Sequence, residues 1–212
     1  MRVTDDRYLR DRRAFDLAWR LIKLGARTGT ISRWTGIAER RVRALQQSYG
    51  SHVPGSVGSL KRPRGQSPYR VERLLHSPQQ QQDATCFARL CKRKGVIPAA
   101  SLADVDRMLP GIERGELLCE AYESFKQGSS QSSISIEQAV LLLTELVRGE
   151  EIRLEACSKC RNSQIVDRLN PGSRLCTICG HEVEFCASCT DRTTSPGSEI
   201  DRAICCKKNV DS

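Results

Sequence analysis

Apolar residues recur at helical spacing along most of this chain, and short turn-forming runs separate one stripe from the next. From Arg12 to Gly25, Phe15, Ala18, Trp19 and Ile22 fall on one face, widened by Leu17, Leu21 and Leu24. That predicts a core-facing helix, with Trp19 packed inward and Gly25 placed for a left-handed cap. Next, Ile31 precedes Gly36, Ile37 follows it, and Val42 and Leu45 sit three apart beyond. This is the pattern of a helix-turn-helix over Thr28–Gln47, with Gly36 at the turn and Glu39, Arg40, Arg43 and Gln47 facing outward. Between Tyr49 and Asp83 the residues Gly50, Pro54, Gly55, Gly58, Pro63, Gly65, Pro68 and Pro78 break any long element. A connection is expected there, with Gln79–Gln82 as a polar tract within it.

Helical periodicity then returns. Asp83–Lys94 carries Phe87, Leu90 and Cys91 on one side, and Gly95 ends it. Ser101 with Asp104 reads as a capping pair for a short helix through Leu109. Glu113–Gln127 aligns Leu117, Leu118, Ala121, Tyr122 and Phe125. Ser135 with Gln138 opens a helix bearing Ile136, Ala139, Val140, Leu143, Leu146 and Val147. These last two stripes offer more apolar surface than the broken region obviously covers, so they either meet one another in a private core or pack in part against another chain. Ile152 with Leu154, and Ile165 with Val166, mark two short strands. The predicted fold is mainly α, a helical domain with a helix-turn-helix-like amino-terminal part and a small carboxyl-terminal four-cysteine zinc ribbon or knuckle. Its divisions are a helical region at 1–50, a basic connection at 51–82, a second helical region at 83–150, the cysteine module at 151–181, and a cysteine-containing flexible tail at 182–212.

Chemistry enters through the 11 cysteines. Cys157-Ser-Lys-Cys160 is followed, after fifteen residues, by Cys176-Thr-Ile-Cys179-Gly180. Each Cys-x2-Cys turn aims two sulfurs at one point, and the spacer lets the second turn complete a tetrahedron around one zinc ion. Four thiolates leave the metal no open position, so the expected role is structural. Cys186 and Cys189 form a third pair, but the return from Cys179 is short and the adjacent Cys205 and Cys206 strain a second tetrahedral site. A second zinc there is therefore the less favoured reading. Cys86, Cys91 and Cys119 lack metal spacing and read as small core residues. His52 and His76 have no ligand-spaced partners.

Charge sharpens the picture. The net charge is +9, yet residues 1–75 hold 17 Lys and Arg against 6 Asp and Glu, and residues 76–156 hold 9 against 12. A basic, arginine-rich front end is the footprint expected for phosphate backbones, or else a solvated face. If the second helix of the motif enters a major groove, Arg40 near its start is placed for a base edge and Arg43 for a phosphate, with Gln47 and Arg33 beside them. Lys61-Arg-Pro-Arg64 adds a basic stretch. The charged amino terminus lacks the apolar core of a signal peptide, and the most apolar run, Ala139–Leu143, is too short to cross a bilayer. A cytoplasmic protein with reduced thiols and no membrane association is expected. No phosphate loop, nucleophile motif or paired carboxylates point to an enzyme or a small-molecule substrate. Thiol oxidoreduction by Cys-x2-Cys would want a βαβ setting that is not seen.

Leu21-Ile-Lys-Leu-Gly-Ala-Arg27, the run Arg41-Val-Arg-Ala-Leu-Gln-Gln-Ser-Tyr-Gly-Ser51 and the quartet Cys157, Cys160, Cys176 and Cys179 together resemble the C subunit of the flagellar master transcriptional regulator, the FlhC family. The similarity covers about residues 12–180, and the tail cysteines fall outside its pattern. The resemblance implies a zinc-stabilised bacterial protein that joins a D subunit in a hetero-oligomer, binds double-stranded promoter DNA of flagellar operons and activates transcription through RNA polymerase. The competing reading is a zinc-stabilised adaptor that makes protein contacts and does not read DNA.

Overall fold

Helix α1 (Asp5–Lys23) begins seven residues before the apolar stripe that predicts it. Residues 6–13 are all exposed, so periodicity could not mark them. Asp6, in the first turn, suits the amino-terminal end of the helix dipole. The computed structural model describes residues 5–50, 65–97, 110–129, 132, 134–157, 159–168, 176 and 178–181, with the side chains of 5, 49 and 50 left out. The expected helix at Ser101–Leu109, the Lys61–Arg64 stretch, His52 and the tail cysteines lie outside these residues.

Helices α2 (Thr28–Thr35) and α3 (Glu39–Gly50) form the expected helix-turn-helix. Gly36 closes α2 at φ 73°, a left-handed conformation that costs other residues strain, and its N–H donates to Ser32 O at 2.9 Å. The buried Thr35 hydroxyl donates to Ile31 O at 2.7 Å and accepts from Ile37 N at 3.2 Å. The turn is thus fixed from both sides.

The connection ends earlier than its prolines suggest. Val71 and Leu74 are buried in the core, around a 3-10 turn at Glu72–Leu74, and α4 runs from Pro78 to Arg93. Proline at the first helical position loses no hydrogen bond and has its φ preset. Ser77 Oγ accepts from Gln80 N, and Gln80 Oε1 accepts from Ser77 N, both at 3.2 Å. A capping box therefore converts the glutamine tract into the first turn of α4. Helices α5 (Ile112–Gly128) and α6 (Ile136–Arg148) follow, the second opened by the predicted Ser135 and Gln138 box and closed by Gly149 at φ 67°. Strands β1 (Ile152–Ala156) and β2 (Ser163–Asp167) pair antiparallel, with Leu154 opposite Ile165.

One core serves both helical regions. Leu17 and Leu21 of α1, Ile31 of α2, Val42 of α3, Phe87 of α4, Leu118 and Phe125 of α5, and Leu142 and Leu143 of α6 all bury into it, together with Ile152 and Ile165 of the hairpin. Helix α1 lies close on α5 because Gly115 has no side chain: a Cβ there would sit 2.5 Å from Leu17 Cδ2. Flanking this contact, Arg13 Nη2 reaches Glu116 and Arg20 Nη2 reaches Glu123, each at 2.6 Å. Phe87 meets the edges of Phe125 and Tyr122 with centroids 5.6 and 6.3 Å apart. Of the two outcomes open to the α5 and α6 stripes, packing within this chain is the one observed. Leu118, Ala121, Tyr122, Phe125, Leu143 and Val147 are buried, and Leu117, Val140 and Leu146 are half-buried against the same core. Cys91 and Cys119 are core residues, whose burial raises both thiols, Cys119 to about 12. Cys86 is exposed, contrary to its expected burial, because it occupies the outer face of α4.

Helix α2 has no cap of its own. Arg27 holds the N-cap position and makes no side-chain cap bond. Glu137 of α6, only 8% exposed, supplies the acceptors: Oε1 takes Arg27 N at 2.8 Å and Oε2 takes the Thr30 hydroxyl at 2.9 Å. A carboxylate at a helix start satisfies orphan N–H groups and complements the dipole. The Arg27 guanidinium, 3.9 Å from Glu137, also donates to the carbonyls of Gly65 and Gln66. Glu137→Ala should therefore cost about 2–3 kcal/mol, since charged hydrogen bonds are lost and buried donors left alone. Urea unfolding measures it, and a loss under about 0.5 kcal/mol would show that the α2 cap is dispensable.

Candidate metal centre and nucleic-acid interface

The hairpin brings the first two sulfurs into place. Cys157 directly follows β1, its N–H donates to Asn162 O at 3.0 Å, and its carbonyl accepts from Arg161 N at 2.9 Å. Arg161 takes φ 55° to make that turn. The second pair repeats the arrangement: Cys176 N donates to His181 O at 2.7 Å, Cys176 O accepts from Gly180 N at 2.8 Å, and Gly180 lies at φ 66°. Two knuckles of equal design face each other. In the sequence Gly180 announces its turn, whereas Arg161 hides the same backbone conformation behind a side chain that seldom adopts it.

All four Sγ atoms lie within 4.8 Å of one another. Cys157 and Cys179 are 3.7 Å apart, Cys160 and Cys176 3.6 Å. A disulfide needs about 2.05 Å, which excludes covalent pairing here. Four sulfurs bound at about 2.3 Å to a central ion would stand about 3.8 Å apart, so the separations match a tetrahedral metal site. Cys157 and Cys176 are buried, Cys160 half-buried and Cys179 exposed. Backbone N–H groups of Cys160 and Lys159 lower the Cys157 thiol, and the N–H and side chain of Asn162 bring Cys160 down to about 6. At Cys179 the His181 N–H also favours the thiolate, but desolvation and the other three sulfurs outweigh it and push the group up to about 11. Four thiols this close resist joint ionisation without a cation among them.

The hairpin is tied to the helices, not suspended from the metal. Ile165 N donates to the Thr85 hydroxyl of α4 at 3.2 Å, Gln81 Nε2 donates to Ile165 O at 3.4 Å, and Arg89 Nη2 donates to Asn162 Oδ1 at 3.2 Å.

The sequence-predicted DNA contacts are all on the surface. Arg40, Arg43 and Gln47 are exposed along one side of α3 while Val42 is fully buried on the other. Arg33 is exposed on α2. Arg43 Nη2 meets Glu39 Oε2 at 2.6 Å, an exposed i, i+4 pair of the kind worth about 0.3–0.5 kcal/mol and readily exchanged for another acid. Arg33 and Arg40 make no ion pair among the described residues. The sequence missed that much of the arginine excess is structural. Arg13, Arg20 and Arg27 hold α1 and α2 to α5 and α6, and Arg41 lies over the Phe15 ring at 4.5 Å. No helix among the described residues is long and apolar enough to cross a membrane.

A scan against protein-family models finds none that matches this chain, and a search of the curated proteins finds no match either.

Removing one sulfur should open the centre. Cys157→Ser is expected to lower bound metal to less than about a tenth of one equivalent, read by elemental analysis, because three ligands seldom close a structural site. Chelation should free the amides of 176–181 to exchange while those of β1 and β2 stay protected by the core. Undiminished metal in the variant would overturn the assignment of these ligands.

Proposed function

We propose that this chain is a zinc-stabilised, non-enzymatic DNA-binding subunit of a transcriptional activator, akin to the C subunit of the flagellar master regulator. The observation that carries the reading is α3: an amphipathic helix held behind a left-handed Gly36 turn, with Arg40, Arg43 and Gln47 exposed opposite buried Val42. A helix so mounted can enter a major groove with its first residues at the base edges. Zinc suits four sulfurs in a tetrahedron, and with no open ligand position its work there is to close the two knuckles on each other. In this reading Arg40 contacts a base, Arg43 exchanges Glu39 for a phosphate, and Gln47 and Arg33 extend the contact along the strand. A D subunit completes the hetero-oligomer, and flagellar promoters and RNA polymerase are its targets in the cytoplasm. The adaptor reading draws on the arginines committed to Glu116, Glu123 and Glu137, which reduce the charge available for DNA.

Co-expression with a D subunit, followed by binding to flagellar promoter and scrambled duplexes across a salt series, separates the two. Arg40→Ala should lose about 1–3 kcal/mol of discrimination at one base position. Arg43→Ala should weaken both duplexes alike and lower the salt slope by about one. Promoter binding that is as tight and selective in both variants as in the parent would remove α3 as the reader.

A further inference from the structure

A cleft of about 670 Å³ opens beside the α2–α3 turn, between the first half of α1 and the start of α5. Arg10, Arg13, Arg33 and Arg114 line it, against Asp6 and Glu113. Arg13 is already engaged by Glu116 at 2.6 Å and Glu113 at 3.7 Å. Arg10 and Arg33 have no ion pair among the described residues. Arg114 carries the argument. Its Nη1 is buried and has no hydrogen-bond partner among the described residues, and a cationic donor stripped of water without an acceptor is a cost that native folds rarely retain without a use. Gly111, the N-cap of α5, lines the same space and supplies no side-chain cap.

Arg10, Arg33 and Arg114 along one cleft call for an anion with several acceptor oxygens. A phosphate group offers them in the fork geometry arginine prefers, and the four lining arginines outnumber the two carboxylates, Asp6 and Glu113, that would repel it. Arg33 and Gly36 also place the cleft directly against the turn that mounts α3. We propose that this cleft is a phosphate site, and that its occupant is a backbone phosphate of the duplex on which α3 sits. The DNA source rests on the function proposed above, whereas the phosphate chemistry rests on the cleft alone.

The test uses the full chain with its metal and D subunit, and the variants Arg114→Met, which keeps an apolar stem without donors, and Arg10→Ala. Each should weaken promoter and scrambled duplexes equally, about fivefold at 0.15 M salt, with a salt slope shallower by about one. The melting temperature of Arg114→Met should not fall, since the buried Nη1 donor that is removed has no acceptor to lose among the described residues. In a second arm, inorganic phosphate at constant ionic strength should raise the melting temperature of the parent and not of Arg114→Met. Protection by phosphate without any effect of the variants on duplex binding would keep the phosphate site and overturn DNA as its source. If the parent fails to bind duplex at all, the proposed function falls and the phosphate arm alone decides the site. No phosphate protection together with unchanged duplex binding would overturn the site, as would a lower melting temperature of Arg114→Met that phosphate does not shift. In both of those cases Arg40→Ala still reports separately on α3.

Discussion

The Glu137 carboxylate joins the two halves of the helical core. Helix α2 is 8 residues long and starts at an arginine with no capping side chain, so by itself it would leave its first donors unsatisfied. Glu137 meets that need from α6, 110 residues away from Arg27 in sequence. The arrangement fixes where α2 begins, hence where Gly36 ends it and how α3 is presented. A carboxylate buried this deeply is tolerable only because its oxygens accept from a backbone amide, a hydroxyl and, at longer range, the Arg27 guanidinium. Arg27 in turn holds the carbonyls of Gly65 and Gln66, so that stretch is fixed against the same joint.

A similar division of labour separates the metal centre from the helices. Ile152 and Ile165 belong to the main core, while Cys157, Cys176 and Cys160 form a small cluster of their own. The hairpin is therefore positioned by apolar burial and by Thr85, and it delivers Cys157 and Cys160 already turned toward one point. The second knuckle has no comparable anchor among the described residues, and a metal held by the four sulfurs would join it to the first. Its binding energy would then act on a local closure, in contrast to domains that fold only around their ion.

Arginine has two separate uses in this protein. Those on the inner side of α1, Arg13 and Arg20, meet α5 glutamates in two-pronged contacts flanking Gly115, and give the close α1–α5 packing its register. Those on α2, α3 and the outer side of α1 remain at the surface. Net charge counts both kinds equally, which is why the basic front end overstates the field available to an anionic partner.

Patterns that depend on neighbours in sequence were legible without a structure. The helical stripes, the Gly36 turn, the Ser135 and Gln138 box, the two strands and the cysteine quartet all follow from local spacing, because 3.6-residue periodicity, capping chemistry and ligand turns are short-range. The burial of Val42 against the exposure of Arg40 and Arg43 was readable for the same reason. What distance in sequence conceals was decided by packing: that Glu137 caps α2, that Leu118 and Leu143 find their partners within the chain, that Arg13 and Arg20 are tethers, and that Arg114 Nη1 is buried with no acceptor among the described residues. The early start of α4 is itself local chemistry, a proline at the first helical position inside a Ser77 and Gln80 box. Local chemistry named the elements, and long-range contacts between groups remote in sequence chose what each one touches.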